Sequence, residues 1–372
     1  MKYTGLLLQV EMKNRLFLLV LWLVPPIQGI AQSEKSFLIG IASQHSAIVE
    51  HSPRMKHLVG SYPQGVEVNL QYQTTGDRPW HQEYQFPRIG LSFIWFNYGN
   101  PSIGQSLALS PYLNKSFFRS ERQEFNFRIG TGIAFFTNKF NLDNNPDNVV
   151  ISSSINAVMQ ARFEYSRKVA DHVSLLAGVG LNHYSNGALR KPNLGVNLPT
   201  LSLGLTYHSQ PRFTPIVSEK TSFNRGAFVD ISTSVGVKSL SHLEVEKYLV
   251  NSVTIAGGYK ANRKSNLLIG VEGFYDRSLY KVQAGDYSLD PEKPKPDVRR
   301  VGMYAGHELV FGKLSLQTHL GVYVYRPYKF NTFYYERLSI KYQFAKSLFG
   351  SLDLKVHGGQ ADVIECRLGV RI

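Results

Sequence analysis

Cysteine is almost absent. Cys366 is the one thiol in 372 residues, which excludes an intramolecular disulfide framework and any CxxC metal site. Long apolar runs are missing too: past the N-terminal segment, nothing approaches the roughly 20 residues of a spanning helix, so a polytopic helical membrane protein is excluded. Charge is sparse at 18% of residues, below the usual quarter or so. Acid is the scarcer sign, with 27 Asp and Glu against 41 Lys and Arg, for a net charge of +14. There is no sequence repeat, coiled-coil heptad or low-complexity tract. What is plentiful is aromatic: 22 Phe and 21 Tyr bring the aromatic share to 12%, which favours strands and argues against disorder. The length suits two or three average soluble domains or one large barrel.

Residues 1–31 read as an export signal. Lys13 and Arg15 precede the apolar run Leu16–Val24, and Gly29-Ile30-Ala31 offers the small residues a signal peptidase reads. Met12 is an alternative start. No Cys follows the signal, so lipoprotein anchoring is not expected.

From Ala31 onward the chain reads as short strands with apolar residues at alternate positions. Ile155, Ala157, Met159, Ala161, Phe163 and Tyr165 alternate with Asn156, Gln160, Arg162 and Glu164. At the C-terminus Ile364, Cys366, Leu368, Val370 and Ile372 share one parity, and Glu365, Arg367 and Arg371 the other. The pattern predicts strands at 36–45, 64–74, 86–97, 103–113, 123–136, 153–167, 172–184, 197–208, 225–237, 249–260, 264–275, 300–311, 313–325, 334–345, 348–358 and 361–372. Two architectures give such alternation. A soluble sandwich turns the apolar face inward, whereas an outer-membrane barrel turns it toward lipid. The export signal, strands of about ten residues and the amphipathic C-terminal strand favour the barrel. The expected fold is therefore all-β: a transmembrane antiparallel β-barrel over 32–372 with about 12–16 strands, the number being even. The polar stretches 46–63, 138–150, 209–224 and 276–299 are expected loops.

One segment carries chemistry. On the strand starting near His172, the residues Val173, Leu175, Ala177, Val179 and Leu181 share a parity that His183 and Ser185 continue. A barrel should keep polar groups off that lipid-facing side. Two residues along a strand span roughly 6.5–7 Å with both side chains on one face, so an imidazole reaches a hydroxyl. Serine needs such a base because its hydroxyl is a weak nucleophile at neutral pH. Asn186 and the glycine after it offer a side-chain amide and a backbone N–H for an oxyanion. The same residue types are also ordinary strand-end and turn residues, and His-x-Ser alone fixes no geometry.

The wider motif is more specific. His183-Tyr184-Ser185-Asn186-Gly187-Ala188, followed by Pro192-Asn193-Leu194-Gly195, resembles the signature of the PagL-type acyloxyacyl hydrolases, the outer-membrane lipid A 3-O-deacylases. Those are small eight-stranded barrels with the signature in the penultimate strand and the loop after it. The likeness covers 153–208 and extends over 36–208 as topology; residues 225–372 are additional strands of unassigned role. The resemblance implies Ser185 as nucleophile, His183 as general base, and Asn186 with the N–H groups of the Gly187–Ala188 region as the oxyanion hole. It implies Asn193 as the residue that orders the loop. The family's acidic third member falls on Asn197, so the acid is missing. An Asn orients an imidazole through its carbonyl oxygen but supplies no charge. Glu164 and Asp171 are the alternative carboxylates, Glu164 lying on the inward parity.

The implied reaction is hydrolysis of an ester linking an acyl chain to lipid A, by a serine esterase in the outer membrane, with lipopolysaccharide and outer-membrane lipid as its partners. Arg190 and Lys191 are candidate contacts to a phosphorylated headgroup. No cofactor is expected, and His45, His51 and His57 lack metal-ligand spacing. The basic balance does not point to nucleic acid in an exported chain without such a motif. Two rival readings remain at this level. One is a non-enzymatic barrel with a degenerate motif, either a pore or a glycolipid-binding protein; sixteen strands in one ring would leave an aqueous lumen. The other is a soluble periplasmic hydrolase.

Overall fold

The computed structural model describes residues 36–211, 213–217, 222–243 and 246–372; the expected export signal lies outside the described residues. Among the described residues there are sixteen strands, matching the sixteen segments expected from alternation. The first eight are β1 (Phe37–Ser46), β2 (Gln64–Gln73), β3 (Arg88–Asn97), β4 (Gln105–Arg119), β5 (Gln123–Phe136), β6 (Ile155–Ala170), β7 (Val173–Ser185) and β8 (Val196–His208). The second eight are β9 (Ala227–Lys238), β10 (Tyr248–Lys260), β11 (Ser265–Asp276), β12 (Arg300–Phe311), β13 (Leu314–Tyr325), β14 (Tyr334–Gln343), β15 (Leu348–His357) and β16 (Gln360–Arg371).

The strands do not form one ring. β1 pairs antiparallel with β8, and β16 with β9, so the chain builds two closed barrels of eight. Residues 225–372 are thus a barrel in their own right, joined to the first through residues 209–226. Each ring uses all its edge hydrogen bonds on itself, and no strand edge is left to recruit the other eight.

Alternation explains both faces of each wall. Leu175, Val179 and Leu181 of β7 point outward and are 45–53% exposed, whereas Ser174 and Asn182 point inward and are buried. Apolar outside and polar inside is the inverse of a soluble sandwich and the pattern of a membrane barrel. An eight-stranded ring is just wide enough to be filled by its own side chains. In the first barrel Arg162 reaches Glu67 at 2.8 Å and Arg128 reaches Glu164 at 3.3 Å. In the second, Glu272 holds Arg337 and Arg367 at 2.8 Å each, and Arg337 also pairs with Glu365. Charges inside a barrel are tolerable because they are paired there. These ion pairs occupy the space that a pore would need, so the aqueous lumen expected of a sixteen-stranded ring is not realised.

The two ends of each barrel differ. In the first barrel the connections 47–63, 137–154 and 186–195 leave one end, while 120–122 and 171–172 turn tightly at the other. A two-turn 3-10 helix, Pro53–Leu58, buries Met55 and Leu58 in the mouth of the first barrel, against a cluster containing Phe96, Tyr98, Phe136 and Tyr184. The end with the segment 186–195 is thereby plugged and stiff. The barrels meet at both ends. Beside that segment, the Ser239 N–H and Oγ donate to Ala188 O at 2.9 Å and Leu189 O at 3.0 Å. At the opposite end Tyr84 packs on Phe311, ring centroids 4.4 Å apart, and Glu83 faces Arg263 at 3.5 Å.

Candidate active site

β7 carries His183 and Ser185 on its outward parity, with Tyr184 between them turned inward and fully buried. Tyr184 packs edge-on against Phe136 at 5.5 Å, which anchors the strand end and fixes where its two neighbours point. The register of β7 with β8 places Asn197 directly opposite His183, where side chains on one face lie within reach of each other. His183 Nδ1 and Asn197 Oδ1 are 2.6 Å apart. An amide oxygen only accepts, so Nδ1 carries the proton and Nε2 is left with a free lone pair. That is the tautomer a general base requires.

The loop 186–195 then folds back over the strand end. Gly195, at φ +77°, passes so close that a Cβ there would sit 2.9 Å from Tyr184 O and 3.0 Å from His183 Cε1. Ser185 Oγ accepts hydrogen bonds from Asn193 Nδ2 at 2.8 Å and from the Gly187 N–H at 3.2 Å. Two acceptances fill the lone pairs of a hydroxyl and leave its own proton to be donated. Among the described residues, no hydrogen bond joins His183 Nε2 to Ser185 Oγ.

The structure places the two loop asparagines differently from one another. The Asn186 side chain is buried, and its Nδ2 donates to Ser152 Oγ, Ser153 Oγ and Arg190 O, each at 3.1 Å. It is spent on ordering the loop and is not turned toward Ser185. Asn193, expected to order the loop, instead presents its amide to the serine, while its Oδ1 accepts from the Asn186 N–H at 3.2 Å. The Ala188 carbonyl accepts from Ser239, and its backbone is at φ +69°.

The remaining candidates separate. Arg190 is exposed, whereas Lys191 is half-buried toward the second barrel. Burial pushes the Lys191 ammonium below its ordinary range; Asp362 opposes that shift, and Lys238 and Arg54 add to it. Glu164 lies in the lumen with Arg128 and Asn114, as its parity predicted, and Asp171 sits at the opposite end of β7 beside Lys168. Neither carboxylate reaches His183. His45, His51 and His57 do not converge; His57 Nε2 lies 2.8 Å from Asp147 O. His51 has a different place: its Nδ1 is 3.2 Å from Asn197 Nδ2, and its Nε2 is 2.9 Å from Leu194 O. Sequence reasoning passed over it because it lies 146 positions from Asn197. Only the β1–β8 closure brings the two together.

Comparison with known proteins bears on the whole chain. The family model described as lipid A 3-O-deacylase (PagL) matches residues 64–206, and that described as the acyloxyacyl hydrolase C-terminal domain matches 227–372. The chain belongs to the PagL-type acyloxyacyl hydrolase family. Each match falls on one barrel, so in this PagL-type chain the second barrel is itself a recognised domain. At the level of the family the activity is that of a hydrolase, a lipid A deacylase. No curated protein matches the chain. Among solved structures, the outer-membrane enzyme PagL is 20% identical over 44% of this chain and 97% of its own, with a TM-score of 0.29. Neisserial surface protein A is 14% identical over 47% of this chain and 99% of its own, with a TM-score of 0.32. The Pseudomonas putida toluene transporter TodX is 9% identical over 94% of this chain and 90% of its own, with a TM-score of 0.18.

Proposed function

We propose that this protein is an outer-membrane serine esterase that removes an ester-linked acyl chain from lipid A, using Ser185, His183 and Asn197. The observation that carries the reading is the state of Ser185 Oγ: two N–H donors occupy its lone pairs, its proton is unspent, and an imidazole with a bare Nε2 stands two residues away on the same wall. That wall faces lipid, so an acyl chain reaches the serine without leaving the membrane.

In the proposed reaction His183 Nε2 takes the seryl proton as Oγ attacks the ester carbonyl. Asn193 Nδ2 and the Gly187 N–H, which rest on Oγ before reaction, pass to the carbonyl oxygen as Oγ gives a lone pair to the carbonyl carbon; donors so placed stabilise the tetrahedral intermediate. His183 returns the proton to the departing sugar hydroxyl, leaving an acyl-enzyme. Water then enters, gives its proton to the same nitrogen and releases the fatty acid. Asn197 holds the tautomer but adds no charge to stabilise the imidazolium, which predicts slower turnover than a carboxylate would give. Exposed Arg190 is placed to meet an anionic headgroup, and half-buried Lys191 less so.

The test is mass spectrometry of lipid A from cells expressing the wild type and Ser185→Ala side by side. Loss of an acyl chain in the wild type alone is expected, with both proteins assembled in the outer membrane. Identical lipid A in both would overturn the reading and leave a glycolipid-binding barrel.

A further inference from the structure

A side-chain amide has two unlike ends, and only one of them suits a histidine base. Turned the wrong way, Asn197 would offer N–H to His183 Nδ1, drive the ring proton to Nε2 and remove the lone pair that must accept from Ser185. A carboxylate has no wrong way round. A site that carries asparagine therefore needs something to choose its orientation.

We propose that His51 is the positioning residue that makes this choice; the inference rests on the reading of His183 as general base. Leu194 O only accepts, so the nitrogen facing it at 2.9 Å, His51 Nε2, bears the ring proton. In the neutral ring Nδ1 is then a bare acceptor, and it receives Asn197 Nδ2–H at 3.2 Å. Val49 O also lies 3.2 Å from that nitrogen, but two acceptors form no bond, so the neutral ring gives Nδ1 to Asn197. With Nδ2 so held, Oδ1 faces His183 Nδ1 at 2.6 Å. Each proton along Leu194 O, His51, Asn197 and His183 is thus fixed by the one before it, starting from a backbone carbonyl. The backbone supports the same arrangement, because the Val49 N–H donates to Asn197 O at 3.1 Å. This links β8 to the chain leaving β1.

The test is a double-mutant cycle on the purified full-length protein, following acyl release from lipopolysaccharide vesicles. His51→Ala is expected to lower kcat about tenfold, the kinetic equivalent of one lost orienting hydrogen bond, with KM nearly unchanged. His51→Gln, whose amide oxygen accepts from Asn197 Nδ2, should restore most of the rate. In the Asn197→Asp background, where both oxygens accept, His51→Ala should cost less than about twofold. Should His51→Ala fail to assemble, His51→Phe keeps the ring and loses both nitrogens, with the same expectation. Equal losses in the two backgrounds would reduce His51 to a loop prop through Leu194, and no loss in either would remove it from the site; both overturn the proposal. A wild type that releases no acyl chain would overturn the functional reading as well, which separates the two failures.

Discussion

Gly187 is where the two barrels and the chemistry meet, and replacing it with alanine tests all three. Its backbone is at φ +60°, which costs an L-residue roughly 1–2 kcal/mol. A Cβ there would also fall on Ile364 Cδ1 and Cγ1, a side chain of the second barrel. Forcing extra carbon into a filled space costs about 1–3 kcal/mol more. Ile364 can turn its side chain aside, but the strain at φ +60° is relieved by a shift of the loop, which withdraws the Gly187 N–H from Ser185. Loss of one oxyanion donor lowers kcat by about 10²–10³. Gly187→Ala should therefore reduce acyl release about a hundredfold or more, while the barrels, whose strand pairing it leaves unchanged, still assemble. Ile364→Ala alone should be close to wild type. Added to Gly187→Ala, it removes the collision and leaves the backbone strain, so a deficit of about 5- to 30-fold should remain, the kinetic equivalent of 1–2 kcal/mol. Initial rates on lipopolysaccharide vesicles, normalised to heat-modifiable folded protein, give all four values. A wild-type rate in Gly187→Ala would refute the role of that N–H. A double variant no better than Gly187→Ala would refute the idea that the second barrel confines the loop.

Two further substitutions address the remaining site residues. Asn197→Glu should retain or raise kcat if Asn197 holds the third position; a large loss would remove it from that position. Asn193→Ala should lower kcat by about 10²–10³ with little change in KM if its amide, which reaches Ser185 Oγ at 2.8 Å, acts on the oxyanion as proposed. A loss confined to folded yield would instead make Asn193 a loop-ordering residue, as the motif first implied.

How much of this was legible in the residues follows from the range of the signal that wrote it. Alternation is local, and it located all sixteen strands and the outward parity of His183 and Ser185. Pairing is not local. Nothing in the period-two pattern says that β8 returns to β1, and so one ring of sixteen and two rings of eight read alike. The segment 209–224, with Pro211 and Pro215, looked like one more loop when it was the joint between barrels. In the site, Asn197 was legible only through the family resemblance, on whose acidic position it falls; the register of β7 with β8 then sets it opposite His183. The placement of Asn186 and Asn193 was not. Both are asparagines in one loop, and which turns inward depends on Ser152 and Ser153 of the preceding connection. His51 was hidden for the reason that hid the closure: it becomes a neighbour of Asn197 only once β1 lies beside β8.

The division into two rings also bears on what such a protein does to a membrane's barrier. Barrel bore grows roughly in step with strand number, so sixteen strands in one circle would leave an aqueous lumen, while the same strands in two circles have narrow interiors crossed by ion pairs such as Glu67–Arg162 and Glu272–Arg337. The two circles together keep the perimeter of sixteen strands while enclosing a much smaller bore. An enzyme whose substrate is the membrane itself can then be abundant without making the cell leaky.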